Sequence, residues 1–513
     1  MKVSRHSVFL AAAFAAICVP LAAKTSSSLL GWPVFAPFPT ALEKRHKALF
    51  PRVRETPLPR FGAAVDAWYG DNYAWRTRVV TLFRGVNFHW LKSPVGREVP
   101  GAGRWIFRRG GDWAELDDYL GALRLPAERA EAWRELLEGR REWARAHGAR
   151  FLTLVTSLKA QIRPDRILQP VRGRRGRGVS ARFKDAIAGS PAREDVVFVD
   201  DALRAAVAGG AEAFYETDHH LDAYGSYVVY DRLNAELRRL FPGRLGEMPW
   251  YPEGEVPPAV ARGEAPGCWP VPDVDADGVE IRRLAVSAPG ERQTDAGLVR
   301  NTRRYPYSNV ATEREGGGLS VLMGHDSYMR FSFDSWRGAP GDVRFPFAPG
   351  VGSVKAYIFQ RFTTGFLEEA FCDGVPDVIV EQFPEQRLAD GPVGLDATMR
   401  AAARFSRGIP LDGPAAVPSS RKAGVLAVFE GVEAGPDALA PRKKGQAPRL
   451  VATLSRGGKG CCSVKLPPGP RRAVFFPPVA VDAYPPGPFE VSLSGGTARS
   501  TRIEVRDLAA PSP

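Results

Sequence analysis

Cysteine is scarce in this chain, with five residues in 513. No two are spaced Cys-x-x-Cys, which excludes a zinc knuckle. Histidine is almost as rare, with seven residues, and no His-Glu-x-x-His sequence offers the paired ligands of a metallohydrolase helix. No internal repeat is present. What is there is ordinary for a globular protein: 44% hydrophobic and 25% charged residues, which excludes a disordered chain, a coiled coil and a polytopic membrane protein. Fifty-two Gly and 45 Pro exceed usual usage and predict long loops and a β-rich portion. The formal net charge of +13 suits an anionic partner, whether polysaccharide, lipid headgroup or nucleic acid. At about 150 residues per domain the length predicts two to four domains.

Lys2 and Arg5 precede an apolar run from Val8 to Ala23. The run is shorter than the roughly 20 residues of a spanning helix, so residues 1–23 read as a signal peptide or an N-terminal anchor. Either way the body is expected to be exported, to the periplasm, and export argues against nucleic acid as the partner. Oxidising conditions allow disulfides. Besides Cys18 the chain has Cys268, Cys372, Cys461 and Cys462, which permit three pairings. The adjacent Cys461 and Cys462 would be strained if joined to each other.

Hydrophobic spacing predicts helices within 61–95, over 126–146 and over about 222–240. Apolar runs predict strands at Arg150–Thr156, Val196–Val199, Leu319–Met323, Val354–Ile358 and Asp377–Glu381. Helix followed by apolar strand is the signature of a doubly wound parallel α/β sheet. Residues 24–408 are read as that domain, with a basic loop at 172–178 and an excursion at 243–275. Residues 409–422 read as a linker. Residues 423–513 carry short β-type runs at 424–429, 450–454, 472–476, 489–493 and 501–505, separated by Gly and Pro, and predict a small β-sandwich.

Three of the seven histidines fall in two short motifs. One is Thr217-Asp218-His219-His220-Leu221, with Gly225 a turn later; the other is Gly324-His325-Asp326-Ser327-Tyr328, directly after an apolar strand. A serine lifted out at the carboxyl end of a strand can act as a nucleophile beside main-chain N–H groups that hold an oxyanion. It needs a base, and His220 is the candidate, with Asp218 to orient it. Asp326 would brace the turn. Asp218, His219, His220 and Asp222 make a poor metal site, because adjacent histidines on a helix face different ways. Lys159, after the strand 150–156, is either an acceptor contact or one half of a surface ion pair.

The wider context resembles the alginate O-acetyltransferase family of the AlgJ/AlgX type, whose catalytic domain is SGNH-hydrolase-like. Five landmarks occur in order: Asp71-Asn-Tyr-Ala-Trp-Arg76; Val99-Pro-Gly-Ala-Gly-Arg-Trp-Ile-Phe107; Leu154-Val-Thr-Ser-Leu-Lys159 with Ile162-Arg-Pro; Thr217-Asp-His-His-Leu with Gly225; and Gly324-His-Asp-Ser-Tyr328 followed by Pro376-Asp-Val-Ile-Val-Glu-Gln and Glu385-Gln-Arg387. The resemblance spans roughly residues 40–390. The order Asp218, His220, Ser327 is the family's, the reverse of ordinary SGNH esterases.

The resemblance implies Ser327 as nucleophile, His220 as base and Asp218 as orienting acid, with Lys159, Tyr328 and Arg387 as candidate substrate contacts. It implies an O-acetyltransferase acting on an alginate-like exopolysaccharide, fed by a membrane-bound O-acyltransferase among other export components. No cofactor or metal is expected. The C-terminal domain would be a carbohydrate-binding module. An acetyl esterase of the same fold, or a non-catalytic polysaccharide-binding scaffold, are the alternatives. His219, Leu221 and the inserted His325 depart from the family pattern, and the acceptor-facing surface is expected to differ accordingly.

Overall fold

The computed structural model describes residues 49–52, 54–72, 86–94, 97–111, 114–210, 212–216, 219–221, 223–247, 292–295, 310–313, 318–326, 328–329, 350–358, 360–371, 374–416, 422–435 and 450–508. Asp218, Asp222 and Ser327 lie outside this set, as do Cys18, Cys268, Cys372 and the apolar run 8–23. The described residues fall into two compact units, divided between Arg104 and Trp105. The first holds helix α1 (Leu58–Asn72) and strand β1 (Glu98–Pro100). In it the Phe50 ring meets Trp68 edge-on, centroids 4.9 Å apart.

The second unit follows the chain order β2 (Ile106–Arg108), α2 (Glu115–Tyr119), α3 (Ala127–His147), β3 (Arg150–Thr156), α4 (Lys159–Ile162), α5 (Val179–Ala186), β4 (Val196–Phe198), α6 (Asp200–Ala208) and α7 (Ala223–Leu240). Then come β5 (Arg292–Asp295), β6 (Val310–Glu313), β7 (Leu319–His325), β8 (Val351–Ile358), α8 (Thr364–Ala370), β9 (Val378–Pro384) and α9 (Ala397–Arg407). Seven strands form one sheet in the order β4-β3-β9-β7-β8-β6-β5. The first five run parallel, and β6 and β5 close the edge antiparallel. A parallel sheet is covered on both faces, so its strands read as unbroken apolar runs rather than alternating ones. Strand β9 accordingly has no exposed residue, and β3 only Arg150. Alternation sends Phe151 and Val155 to the face lined by Trp133, Leu137, Phe183 and Phe405, and the equally buried Leu152 and Leu154 to the other. This is the doubly wound α/β sheet expected of the sequence. In such sheets ligands bind beyond the carboxyl ends of the strands, where the strand order reverses.

After α9 every pairing is antiparallel. β10 (Ile409–Pro410), β18 (Ser500–Asp507), β11 (Lys422–Ala434) and β14 (Gly469–Phe475) lie side by side, with β15 (Val479–Ala480) and β17 (Gly496–Thr497) attached to β11. β13 (Lys459–Leu466), β12 (Leu450–Arg456) and β16 (Phe489–Ser494) form a second sheet. The two share a core of Val425, Ala427, Phe429, Ala452, Leu454, Phe489 and Val505, which makes the expected sandwich. Cys461 and Cys462 are both free thiols. Strand β11 is buried on both faces over residues 423–429. Its odd positions fill the sandwich, while Leu426 and Val428 join Ala473 and Phe475 against the helices of the α/β layer.

Candidate active site

The two histidine-bearing motifs are far apart in sequence and meet at the carboxyl end of the sheet. Strand β7 ends at His325 and delivers Asp326 and Tyr328, the residues flanking Ser327. Gly324 is demanded by close packing, because a Cβ there would lie 2.9 Å from both the Gln360 carbonyl oxygen and the Phe362 ring. Beyond it the turn braces itself. The Tyr328 N–H donates to Asp326 Oδ1 at 2.9 Å, the role expected of Asp326. The Asp326 N–H donates to Gln382 Oε1 at 2.9 Å, and Gln382 Nε2 donates to Thr156 Oγ1 at 2.9 Å. Three neighbouring strand ends, β3, β9 and β7, are thereby tied by one buried amide.

The segment carrying His220 is a short closed loop. Phe214 and Leu221 pair across its base as an antiparallel bridge, both wholly buried. The Tyr215 N–H donates to the His220 carbonyl at 3.3 Å. Gly225, in the first turn of α7, lets that helix approach so closely that a Cβ would collide with the Ala213 carbonyl. The base of the loop is therefore held in place, with His219 and His220 both buried. Their rings lie 3.9 Å apart. The His220 ring is 5.5 Å from the Tyr328 ring and the His219 ring 6.0 Å from it. The residue following Ser327 thus packs directly on the candidate base. Burial pushes the Asp326 carboxyl above its ordinary value; the charge of Arg361, the Tyr328 N–H, Gln382 and His220 pull it back down.

Lys159 is neither at the surface nor in a surface ion pair. It is fully buried, and its ammonium donates to the carbonyls of Ile106, Tyr215 and Glu216. It sits over the Trp105 and Phe107 rings, so it braces the loop that carries His220. Arg163 and Arg166, one turn on, pair with Glu212 at the start of the same loop. Arg387 lies half-exposed in an ion pair with Asp390 at 3.2 Å. Tyr328 is wholly buried. His219, Leu221 and His325, expected to alter an acceptor-facing surface, are all buried instead, so these departures change interior packing. Among the described residues no three His, Cys, Asp or Glu side chains converge to hold a metal.

Gln382 and Glu385 entered the sequence reading only as members of the fifth landmark, with no role assigned, and Arg361 did not enter it. Arg361 Nη1 donates to the Gln382 carbonyl at 3.2 Å. Glu385 Oε1 accepts the Leu158 N–H at 2.8 Å; burial and the neighbouring Asp118 carboxylate push its own carboxyl well above the usual range. The signal available for Gln382 was its place: an amide inside a wholly buried strand is tolerated only when it is hydrogen-bonded.

Residues 99–265 match the family described as SGNH hydrolase-like domain, acetyltransferase AlgX. That segment contains Asp218 and His220 and ends before Ser327. No curated protein matches the sequence. Among solved structures, the O-acetyltransferase domain of Pseudomonas putida AlgJ is similar at 14% identity over 61% of this chain and 100% of that one, with a TM-score of 0.35. Pseudomonas aeruginosa AlgX is similar at 13% identity over 80% of this chain and 93% of its own, TM-score 0.33. Bacillus cereus PatB1 is similar at 8% identity over 57% of this chain and 97% of its own, TM-score 0.37. Likenesses this distant carry no residue roles.

Proposed function

From a chain whose residues 99–265 match an acetyltransferase family, we propose an exported, periplasmic O-acetyltransferase that carries acetyl on Ser327 to hydroxyls of an alginate-like exopolysaccharide. The observation that carries this reading is the meeting of the two motifs: the His220 ring packs 5.5 Å from the ring of Tyr328, the residue after Ser327, at the carboxyl end of a parallel sheet. In the proposed reaction Ser327 Oγ attacks the donor's acetyl carbonyl while its proton passes to His220. That proton leaves with the donor's departing group, giving acetyl-serine. A sugar hydroxyl then attacks, its proton passing to His220 and from there to Ser327 Oγ as the sugar ester departs. Asp218 orients His220 and supports its positive charge.

The donor reaches this site from a membrane-bound O-acyltransferase, alongside other components of polysaccharide export. The basic balance of the chain supports an anionic acceptor. So does the exposed loop of Arg172, Arg174, Arg175 and Arg177, clamped from beneath by Tyr119, whose hydroxyl donates to the Arg172 carbonyl and whose carbonyl accepts the Gly176 N–H, both at 2.9 Å. On this reading the C-terminal sandwich serves as a carbohydrate-binding module. Among the described residues no helix is long and apolar enough to cross a membrane.

The test incubates residues 24–513 with p-nitrophenyl acetate and a panel of uronate and neutral oligosaccharides, reading products by mass. Acetylated sugar that disappears with Ser327→Ala is expected, with His220→Ala lowering turnover about 10²–10⁴-fold. Free acetate alone, whatever sugar is added, would favour an esterase. No turnover dependent on Ser327 would favour a binding scaffold.

A further inference from the structure

We propose that Gln382 is a positioning residue for acetyl transfer: its buried amide holds the main chain on both sides of Ser327 in the reactive arrangement. The inference rests on the reading of Ser327 as nucleophile. Gln382 has no exposed surface, and both ends of its amide are committed. Oε1 accepts the Asp326 N–H and Nε2 donates to Thr156 Oγ1, each at 2.9 Å. Its carbonyl accepts from Arg361. Asp326, fixed by this contact, accepts the Tyr328 N–H on its own carboxylate. One amide therefore sets the residue before Ser327 directly and the residue after it through Asp326.

The position in the sheet explains why a long polar side chain is needed. The parallel pairing of β7 with β9 runs from Val321–Val378 to Gly324–Glu381 and stops there. Asp326 lies beyond the last ladder bond, so its N–H has no strand partner in β9, and the Gln382 side chain takes the place of the missing rung. An apolar residue of equal length would fill the volume and leave that buried N–H unsatisfied, at a free-energy cost comparable to a lost hydrogen bond. Small displacements of a reacting group cost large factors in rate, about 10²-fold for ~1 Å.

The test compares wild-type protein with Ser327→Ala, Gln382→Met, Gln382→Glu and Thr156→Val, using p-nitrophenyl acetate turnover against pH and thermal melts. Gln382→Met is expected to lower kcat by about 10²-fold with KM unchanged. Thr156→Val, which cuts only the outer bond, should lower kcat less. Gln382→Glu discriminates positioning from simple packing. Protonated, its carboxyl reproduces both hydrogen bonds; ionised, it places a charge beside the buried Asp326. Its activity should therefore approach wild type at low pH relative to the wild-type profile and fall early as pH rises. A Gln382→Glu profile parallel to wild type, or Gln382→Met within twofold of wild-type kcat, would overturn the proposal while Ser327→Ala stays inactive. A Ser327→Ala variant as active as wild type would instead remove the reading of the nucleophile. Should Gln382→Met not fold, the pH profile of Gln382→Glu decides alone.

Discussion

At the scale of single residues, the candidate site is held by buried side chains engaged with the main chain. Lys159 is the clearest case. A residue set after a strand in a motif shared with a transferase family invites a substrate role; here it is fully buried and its ammonium donates to three main-chain carbonyls. Lys159→Met keeps the stem and removes the donor, leaving those buried acceptors short of a partner. A loss of about 1–3 kcal/mol is expected in denaturant melts, together with faster amide exchange at Tyr215, whose N–H closes the loop on the His220 carbonyl. Unchanged exchange there would mean that the lysine does not brace the loop. Asp-x-His and Gly-x-Asp-Ser are local patterns, which is why sequence alone singles out Asp218, His220 and Ser327 as candidates. The supporting contacts were not legible in this way: Gln382 reaches Thr156 and Asp326 across 226 and 56 residues of sequence, and no local spacing records that.

At the scale of elements, the strands of the parallel sheet were legible because burial on both faces leaves an apolar run. Arg150–Thr156 was expected and observed with the same bounds. The antiparallel strands β5 and β6 carry Arg292-Gln-Thr-Asp295 and Val310-Ala-Thr-Glu313, too polar and short to register as strands. Strand β13 was also missed, although Gly457-Gly458 between β12 and β13 is a two-residue hairpin signal. The parallel sheet contains a charge no hydropathy pattern predicts. Glu381 lies in the middle of β9 and pairs with Arg140 of α3 at 2.6 Å, both about 98–99% buried; its other oxygen accepts the Phe362 N–H at 2.9 Å. Breaking a buried pair from one side strands the remaining charge. Arg140→Met should therefore cost about 3–5 kcal/mol, and Arg140→Met with Glu381→Leu should recover part of it. A single variant as stable as wild type by chemical denaturation would contradict this.

At the scale of the whole molecule, the C-terminal sandwich is built onto the α/β layer rather than tethered to it. Ile409 and Pro410, at the head of the expected linker, already pair with β18. Arg506 donates to the Phe405 and Ser406 carbonyls at the end of α9, and Arg471 to Ala146 near the end of α3, where basic groups suit the helix C-terminus. His147 completes the junction. Nδ1 contacts the Trp143 carbonyl at 2.9 Å and Nε2 accepts the Ala473 N–H at 3.1 Å, which requires the neutral Nδ1–H form. Burial lowers its pKa to about 3 from an ordinary 6.5, assisted by Arg472 and Arg471 and opposed by the Trp143 carbonyl. The stability it contributes is present above pH 6.5 and lost as pH falls toward 3, in the limit roughly 5 kcal/mol at ~1.4 kcal/mol per unit. His147→Gln, which keeps a donor and an acceptor without titrating, should flatten that acid limb in melts between pH 7 and about 3. A limb of equal slope would place the acid sensitivity elsewhere.

In the proposed reaction acetyl rests on Ser327 on its way to sugar. Intact mass and peptide mapping after brief exposure to p-nitrophenyl acetate would show it. One acetyl group is expected on the peptide containing Ser327, absent from Ser327→Ala, formed far more slowly by His220→Ala, and discharged when a competent acceptor is added. Acetyl found on another residue, or wild-type protein that never carries acetyl while still acetylating sugar, would contradict it.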